Sequence, residues 1–270
     1  MRSSVIELPP RLMVSVRDHT DWVMALEAGV EIVDLPWSLT MSLWPAHGDP
    51  LLVRLAADAS QWPPQFGIAV DCGELSQLPA RSAWLPVPES ARWARLGLAS
   101  LAHVVDWKTN WVAARHRLDA ERTRPLSWWA VAYADHRLAQ APSPSEIISA
   151  AIETGCAGLV LDTFIKSGPT LTDLMSPPEL TALLQQARDF QLPVVIAGGV
   201  ESDDLEWVCD LEPAVVAVRT CVSRYGEYDQ PLSPTRLAWF RQSLDDAVEF
   251  NRAEWQATRA LYGTSSSAPA

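Results

Sequence analysis

Lysine is almost absent. Among 21 lysines and arginines the only lysines are Lys108 and Lys166. Arginine cannot replace lysine where an amine must react with a carbonyl or give up its proton near neutral pH, so any such chemistry is confined to two positions. Cysteine is sparse as well: Cys72, Cys156, Cys209 and Cys221 are scattered without paired spacing. That pattern excludes a zinc-ligand motif and a disulfide framework and leaves reduced core thiols. The five histidines, His19, His47, His103, His116 and His136, have no metal-ligand spacing. No window holds the roughly 18 uncharged apolar residues that a membrane helix needs. The opening "MRSSVIELPPRLMVSV" lacks a signal-peptide core and cleavage site, so a cytoplasmic protein is expected. Positive charge is also in deficit. A net charge of −12 argues against a nucleic-acid or anionic-membrane surface, which clustered cations would be needed to hold.

What is present is a chain of 270 residues with 48% apolar and 20% charged residues, enough for one large buried core. Short apolar runs recur: "LMVSV" (12–16), "VEIVDL" (30–35), "FGIAVD" (66–71), "HVVDW" (103–107), "WWAVAY" (128–133), "GLVLD" (158–162), "PVVIAG" (193–198) and "AVVAVR" (214–219). Between several of them lie stretches with helical spacing, such as 18–29, 144–156, 177–191 and 201–212. Continuous apolar runs mean strands covered on both faces, as in parallel sheets. Eight such units point to an α/β fold of the TIM-like (β/α)8 barrel type. An open doubly wound sheet is less favoured, because no Gly-rich dinucleotide fingerprint follows the first strand. Residues 1–263 read as a single barrel domain closed by a long helix over 233–263, and 264–270 as a disordered tail.

Catalytic groups of such barrels sit at the C-terminal ends of the strands. Those positions hold Asp34, Asp71, Asp106, Asp135 and Asp162, then Gly198 and Gly199, then Arg219 and Thr220. A single aspartate there is as readily a helix cap. Five together repel one another and require a balancing cation, for which Lys166 and Arg219 are the candidates. The glycine pair lets backbone approach a ligand, and with Arg219 and Thr220 on the next strand it forms a candidate site for substrate phosphate. Lys166 is a candidate imine-forming amine, a fixed charge paired with Asp162, or a solvent-facing loop residue. Most of the 13 tryptophans, including Trp128 and Trp129, read as helix–strand packing, whereas Trp37 and Trp107 fall at strand ends.

The segments "LMVSVRDHTDWVMALEAGVEIVDL", "AVAYAD", "GLVLDTFIKSGPTLTDLMSPPEL", "VVIAGGV" and "VVAVRTCV" resemble the (5-formylfuran-3-yl)methyl phosphate synthases of methanofuran biosynthesis. These enzymes are also called 4-(hydroxymethyl)-2-furancarboxaldehyde-phosphate synthases. The resemblance implies a TIM-like barrel and a lyase that condenses two glyceraldehyde 3-phosphate molecules through a lysine imine, with loss of one phosphate and water. It carries Asp34, Asp135, Asp162 and Lys166 to catalytic positions, and Gly198, Gly199 and Arg219 to phosphate-binding loops.

Two positions depart from the family. Its imine-forming lysine aligns with Pro36, and its strand-4 lysine, a proton-transfer residue, aligns with Val105, three residues before Lys108. Two alternatives therefore stand beside the synthase: an aldolase-like enzyme using Lys166 as the imine-forming amine, and a non-catalytic relative retaining a phosphate site. The expected partner is a small phosphorylated aldehyde, without nucleic acid or membrane. No cofactor and no metal are expected, and a homo-oligomer is left open.

Overall fold

The computed structural model describes residues 9–35, 66–80, 87–120 and 122–262. Pro36, Trp37 and the residues that follow them to 65, together with 263–270, where a disordered tail is expected, lie outside the described residues. Eight parallel strands close in sequence order into one barrel. They are β1 (Arg11–Ser15), β2 (Ile32–Leu35), β3 (Gly67–Glu74), β4 (Ala91–Gly97), β5 (Ser127–Tyr133), β6 (Gly158–Asp162), β7 (Val194–Ile196) and β8 (Val215–Val218). The main helices are α1 (His19–Glu27), α2 (Trp107–Asp119), α3 (His136–Ala139), α4 (Pro144–Glu153), α5 (Leu171–Leu174), α6 (Pro177–Asp189), α7 (Leu205–Asp210) and α8 (Pro234–Tyr262).

Local chemistry explains the helix starts. Asp18 accepts the Asp21 amide at 2.9 Å and so caps α1, while Ser143 and Glu146 form a reciprocal capping box ahead of Pro144 in α4. Glu179 reaches back to the Ser176 amide at 2.8 Å at the start of α6. The closing helix α8 is tied to the strands by Arg241, which bonds Glu31 at 2.8 Å, while Glu31 accepts the Leu12 amide at 2.9 Å. None of the described helices is long and apolar enough to cross a membrane.

Strand residues alternate between two apolar layers, as the period of two demands. Leu12, Val14, Val33, Leu35, Ile68 and Val70 pack outward against the helices. Met13, Ile32, Ala69, Trp93, Trp129, Val131, Val160, Val195 and Ala217 fill the interior. Trp93 and Trp129 stack inside the barrel with centroids 5.4 Å apart. Gly67 and Gly158 make room for them: a Cβ on Gly67 would overlap the Trp93 ring, and one on Gly158 would come within 2.9 Å of Trp129. Trp128 packs in the outer layer as expected, whereas Trp129 belongs to the interior.

The fourth strand is where sequence and structure part. "HVVDW" is not a strand: Val105 is 94% exposed, and Asp106 flanks the start of α2. The strand lies earlier, in "ARWARLG", where Arg92 and Arg95 interrupt the apolar run that would have marked it. Val105 is therefore not the position of a strand-4 lysine, and the inward cation that β4 presents is Arg95.

Candidate active site

Continuing the inward period by two residues turns the apolar interior polar at the C-terminal end. Beyond Met13, Ile32, Ala69, Trp93, Val131 and Val160 come Ser15, Asp34, Asp71, Arg95, Tyr133 and Asp162. A cavity of about 110 Å³ opens there, lined by Asp71, Glu74, Arg95, Gly97, Val131, Tyr133, Asp162, Phe164 and Lys166. A larger open groove of about 420 Å³ runs along α8 beside Pro9 and Val248. It lies by the chain that leads into β1, away from the strand ends where this fold does its chemistry.

Lys166 stands four residues past the end of β6. Its ammonium donates to Asp162 Oδ2 and to the Thr163 carbonyl, both at 2.7 Å, and its side chain is 38% exposed. Asp162 completes its contacts by accepting the Thr163 amide at 2.7 Å. Burial lowers the Lys166 pKa, but the Asp162 charge and hydrogen bond more than offset it, so the net shift is upward and the amine is held protonated.

Arg95 crosses the mouth. It forks onto both oxygens of buried Asp34, with Nη2 to Oδ2 at 2.9 Å, and reaches Asp71 at 3.0 Å. Burial opposes its charge, yet Asp34 and Asp71 overcome that effect and keep the guanidinium protonated. Asp34 also accepts the Ser15 hydroxyl at 2.6 Å. Glu74 lies beyond Asp71 and accepts the Tyr133 hydroxyl at 2.5 Å and the Ala99 amide at 2.7 Å. Burial pushes the Glu74 carboxyl up, with Tyr133 and Ala99 pulling the other way, and burial beside Glu74 raises Tyr133 well above the usual phenol range.

The expected residues separate into those the cavity gathers and those it does not. Asp162, Lys166 and Asp71 line it. Asp34 is wholly buried beneath it as the counter-ion of Arg95. Asp135 is not among the described residues on the cavity wall; its two oxygens accept the amides of Phe164 and Ile165 at 2.7 and 3.0 Å and so clasp the loop that carries Lys166. His136 opens the short helix α3 and is not on the cavity wall.

Arg219 is corrected from phosphate ligand to structural tie. It pairs with buried Asp21 at 2.7 Å and donates to the carbonyls of Ser15, Tyr228 and Gln230, which engages four of its five N–H donors within the fold. The cation that balances the mouth beside Lys166 is Arg95 instead. Thr220 begins a single turn whose carbonyl accepts the Ser223 amide at 3.1 Å. Gly198 and Gly199 both have φ above +80°. A Cβ on either would crowd Thr163 or Thr170 at 2.9–3.0 Å, so close packing of the loops after β6 and β7 accounts for both glycines. None of Gly198, Gly199, Arg219 and Thr220 is among the described residues that line the cavity. Lys108 pairs with Glu153 at 2.6 Å on the surface and supplies nothing to the mouth. No cluster of three or more His, Cys, Asp or Glu side chains fit for a metal occurs among the described residues.

Sequence reading missed Arg95, Glu74 and Tyr133. The W-x-R spacing of Trp93 and Arg95 is the signal for the first, once the strand is placed. A glycine within a strand, Gly73, is the signal for the second.

A family described as 4-HFC-P synthase matches residues 12–241. The (5-formylfuran-3-yl)methyl phosphate synthase of Archaeoglobus fulgidus is 23% identical over 218 residues, 78% of this chain and 90% of the relative. A putative (5-formylfuran-3-yl)methyl phosphate synthase of Methylorubrum extorquens is 27% identical over 261 residues, 95% of this chain and 98% of the relative. Among solved structures, KGPDC from Streptococcus mutans superposes with a TM-score of 0.54 at 12% identity, covering 90% of this chain and 99% of that one. Thiamine phosphate pyrophosphorylase from Pyrococcus furiosus gives a TM-score of 0.52 at 16% identity, covering 89% of this chain and 96% of that one. At such identities the structures establish the barrel alone. The family match runs from β1 into the closing helix and takes in every strand of the barrel, and the chain belongs to the 4-HFC-P synthase family.

Proposed function

We propose that this protein is a lyase that condenses two molecules of glyceraldehyde 3-phosphate into a furan aldehyde phosphate, with loss of one phosphate and water. The observation that carries this reading is the Lys166–Asp162 pair on the wall of the cavity at the barrel mouth, in a chain of the 4-HFC-P synthase family. The charge of the cavity orients the substrate. Asp71, Glu74 and Asp162 line it against Arg95 and Lys166, so a phosphate dianion is repelled from its depth and the carbonyl end is the part that enters. The carbonyl oxygen then meets the Lys166 ammonium as negative charge develops on it during enolisation.

In this reading the Lys166 ammonium, paired with Asp162, acts as a fixed charge, whereas the aldolase-like alternative requires it as the neutral amine of an imine. The test is incubation of the purified protein with glyceraldehyde 3-phosphate, following furan absorbance, released phosphate and borohydride-trapped adducts. Wild-type protein is expected to form furan and phosphate, and Lys166→Met to lower the rate by about 100-fold or more, as for loss of one preorganised donor. A trapped Lys166 adduct without furan would establish the aldolase-like reading. Phosphate binding with neither product nor adduct would make the chain a non-catalytic relative.

A further inference from the structure

Glu74 has no obvious reason to face the cavity. In an unbroken strand Asp71 and Gly73 share the inner face and Glu74 points out. The pairing of β3 with β4 shifts here: Asp71 is opposite Arg95 and Glu74 is opposite Gly97, so three steps on one strand match two on the other. The extra residue is taken up as a bulge at Gly73, which adopts φ +76°. Its effect is to turn Glu74 inward beside Asp71.

Space for it is provided across the sheet, where a Cβ on Gly97 would overlap both Glu74 oxygens and the Tyr133 hydroxyl. Once there, Glu74 is held by two neutral donors, Tyr133 at 2.5 Å and the Ala99 amide at 2.7 Å. The other carboxylates of the mouth are neutralised differently: Asp34 and Asp71 by Arg95, Asp162 by Lys166. Among the described residues Glu74 is the one cavity carboxyl without a cation in contact. Burial also moves its titration upward, toward the pH at which a carboxyl can both take and return a proton.

We propose that Glu74 is the residue that takes the proton from the substrate carbon next to the carbonyl and returns it later in the reaction, with Tyr133 as its positioning residue. This rests on the furan-phosphate reading above. When the C–H bond breaks, its electron pair becomes the enol double bond, the carbonyl oxygen takes up negative charge opposite Lys166, and the proton resides on a Glu74 oxygen. No oxidant or further co-reactant enters the balance. The need for such a group follows from the strand-4 cation, since Arg95, locked between Asp34 and Asp71, cannot exchange a proton near neutral pH.

The test uses the full chain with glyceraldehyde 3-phosphate in deuterium oxide, measuring deuterium at the α-carbon by NMR alongside furan formation. Glu74→Gln is expected to lower exchange and kcat by about 100-fold or more, with KM changed by less than about threefold. Tyr133→Phe removes a hydrogen bond that favours the carboxylate, so the acid limb of kcat/KM should move to higher pH. A purely structural hydroxyl would leave that limb in place. If wild-type protein exchanges the proton and Glu74→Gln does so at more than about a tenth of its rate, Glu74 is not the base and the furan-phosphate reading survives. If wild-type protein neither exchanges nor converts the substrate, both fall. Should Glu74→Gln fail to fold, the Tyr133→Phe pH profile decides, and an unmoved acid limb overturns the proposal.

Discussion

Replacing Arg95 by methionine keeps the apolar stem of the side chain and deletes the guanidinium with its charge. In the wild-type barrel Asp34 is fully buried and its two oxygens face the guanidinium. After the substitution the one partner left among the described residues is the Ser15 hydroxyl, at 2.6 Å. A buried charge stripped of its counter-ion costs about 3–5 kcal/mol, because the desolvation penalty remains while the attraction is lost. That is a large share of the roughly 5–15 kcal/mol that holds a domain together. At about 2–4 °C per kcal/mol for a protein of this size, the melting temperature should fall by on the order of 10 °C. The assay is urea unfolding of wild type, Arg95→Met, Asp34→Asn and the double variant. The double variant should recover most of the loss, since no fully buried charge is then stranded and Asp71, which also loses Arg95, keeps contact with solvent. A single-variant deficit below about 1 kcal/mol, the range of exposed ion pairs, would refute the description of this pair as dry. So would a double variant no more stable than Arg95→Met.

Arg219→Ala should destabilise by a similar amount, about 3–5 kcal/mol, because Asp21 is then buried without its cation. The KM of the folded fraction should stay within about threefold of wild type; a tenfold rise in KM with unaltered urea unfolding would return Arg219 to the role of phosphate ligand. Val105→Lys should leave both kcat and stability unchanged, the latter within about 0.5 kcal/mol, since this side chain lies in solvent outside the barrel. Faster turnover in that variant would show that the mouth extends over the loop ahead of α2.

What could be read in the sequence was whatever burial wrote as apolar runs. Strand β6 coincides with "GLVLD", and β2, β5 and β8 differ from their predicted spans only at the ends. Strand β4 was hidden because the barrel interior at that height is charged: Arg95 faces inward and Arg92 lies over the Trp93 ring. Hydropathy therefore favoured "HVVDW", whose valines point to solvent. Lys166 and Asp162 were legible because a four-residue separation just past a strand end keeps them in reach. The inward turn of Glu74 was not, since it depends on a register shift between two strands that spacing along one strand does not record. Arg219 sits at a strand end as expected, but its partners come from β1, α1 and residues 228–230, distant in sequence, and only the closed fold reveals that four of its five donors are engaged there.

The stacked indoles of Trp93 and Trp129 have a kinetic meaning. With the two rings stacked and glycines on the flanking strands admitting them, the barrel interior beneath the mouth is filled by side chains of the described residues. The reaction proposed above, which joins two trioses and sheds phosphate and water, would pass its traffic through the doorway at the mouth. Departure of the small products then competes with arrival of the second substrate, so high substrate concentration should slow turnover by keeping the doorway occupied.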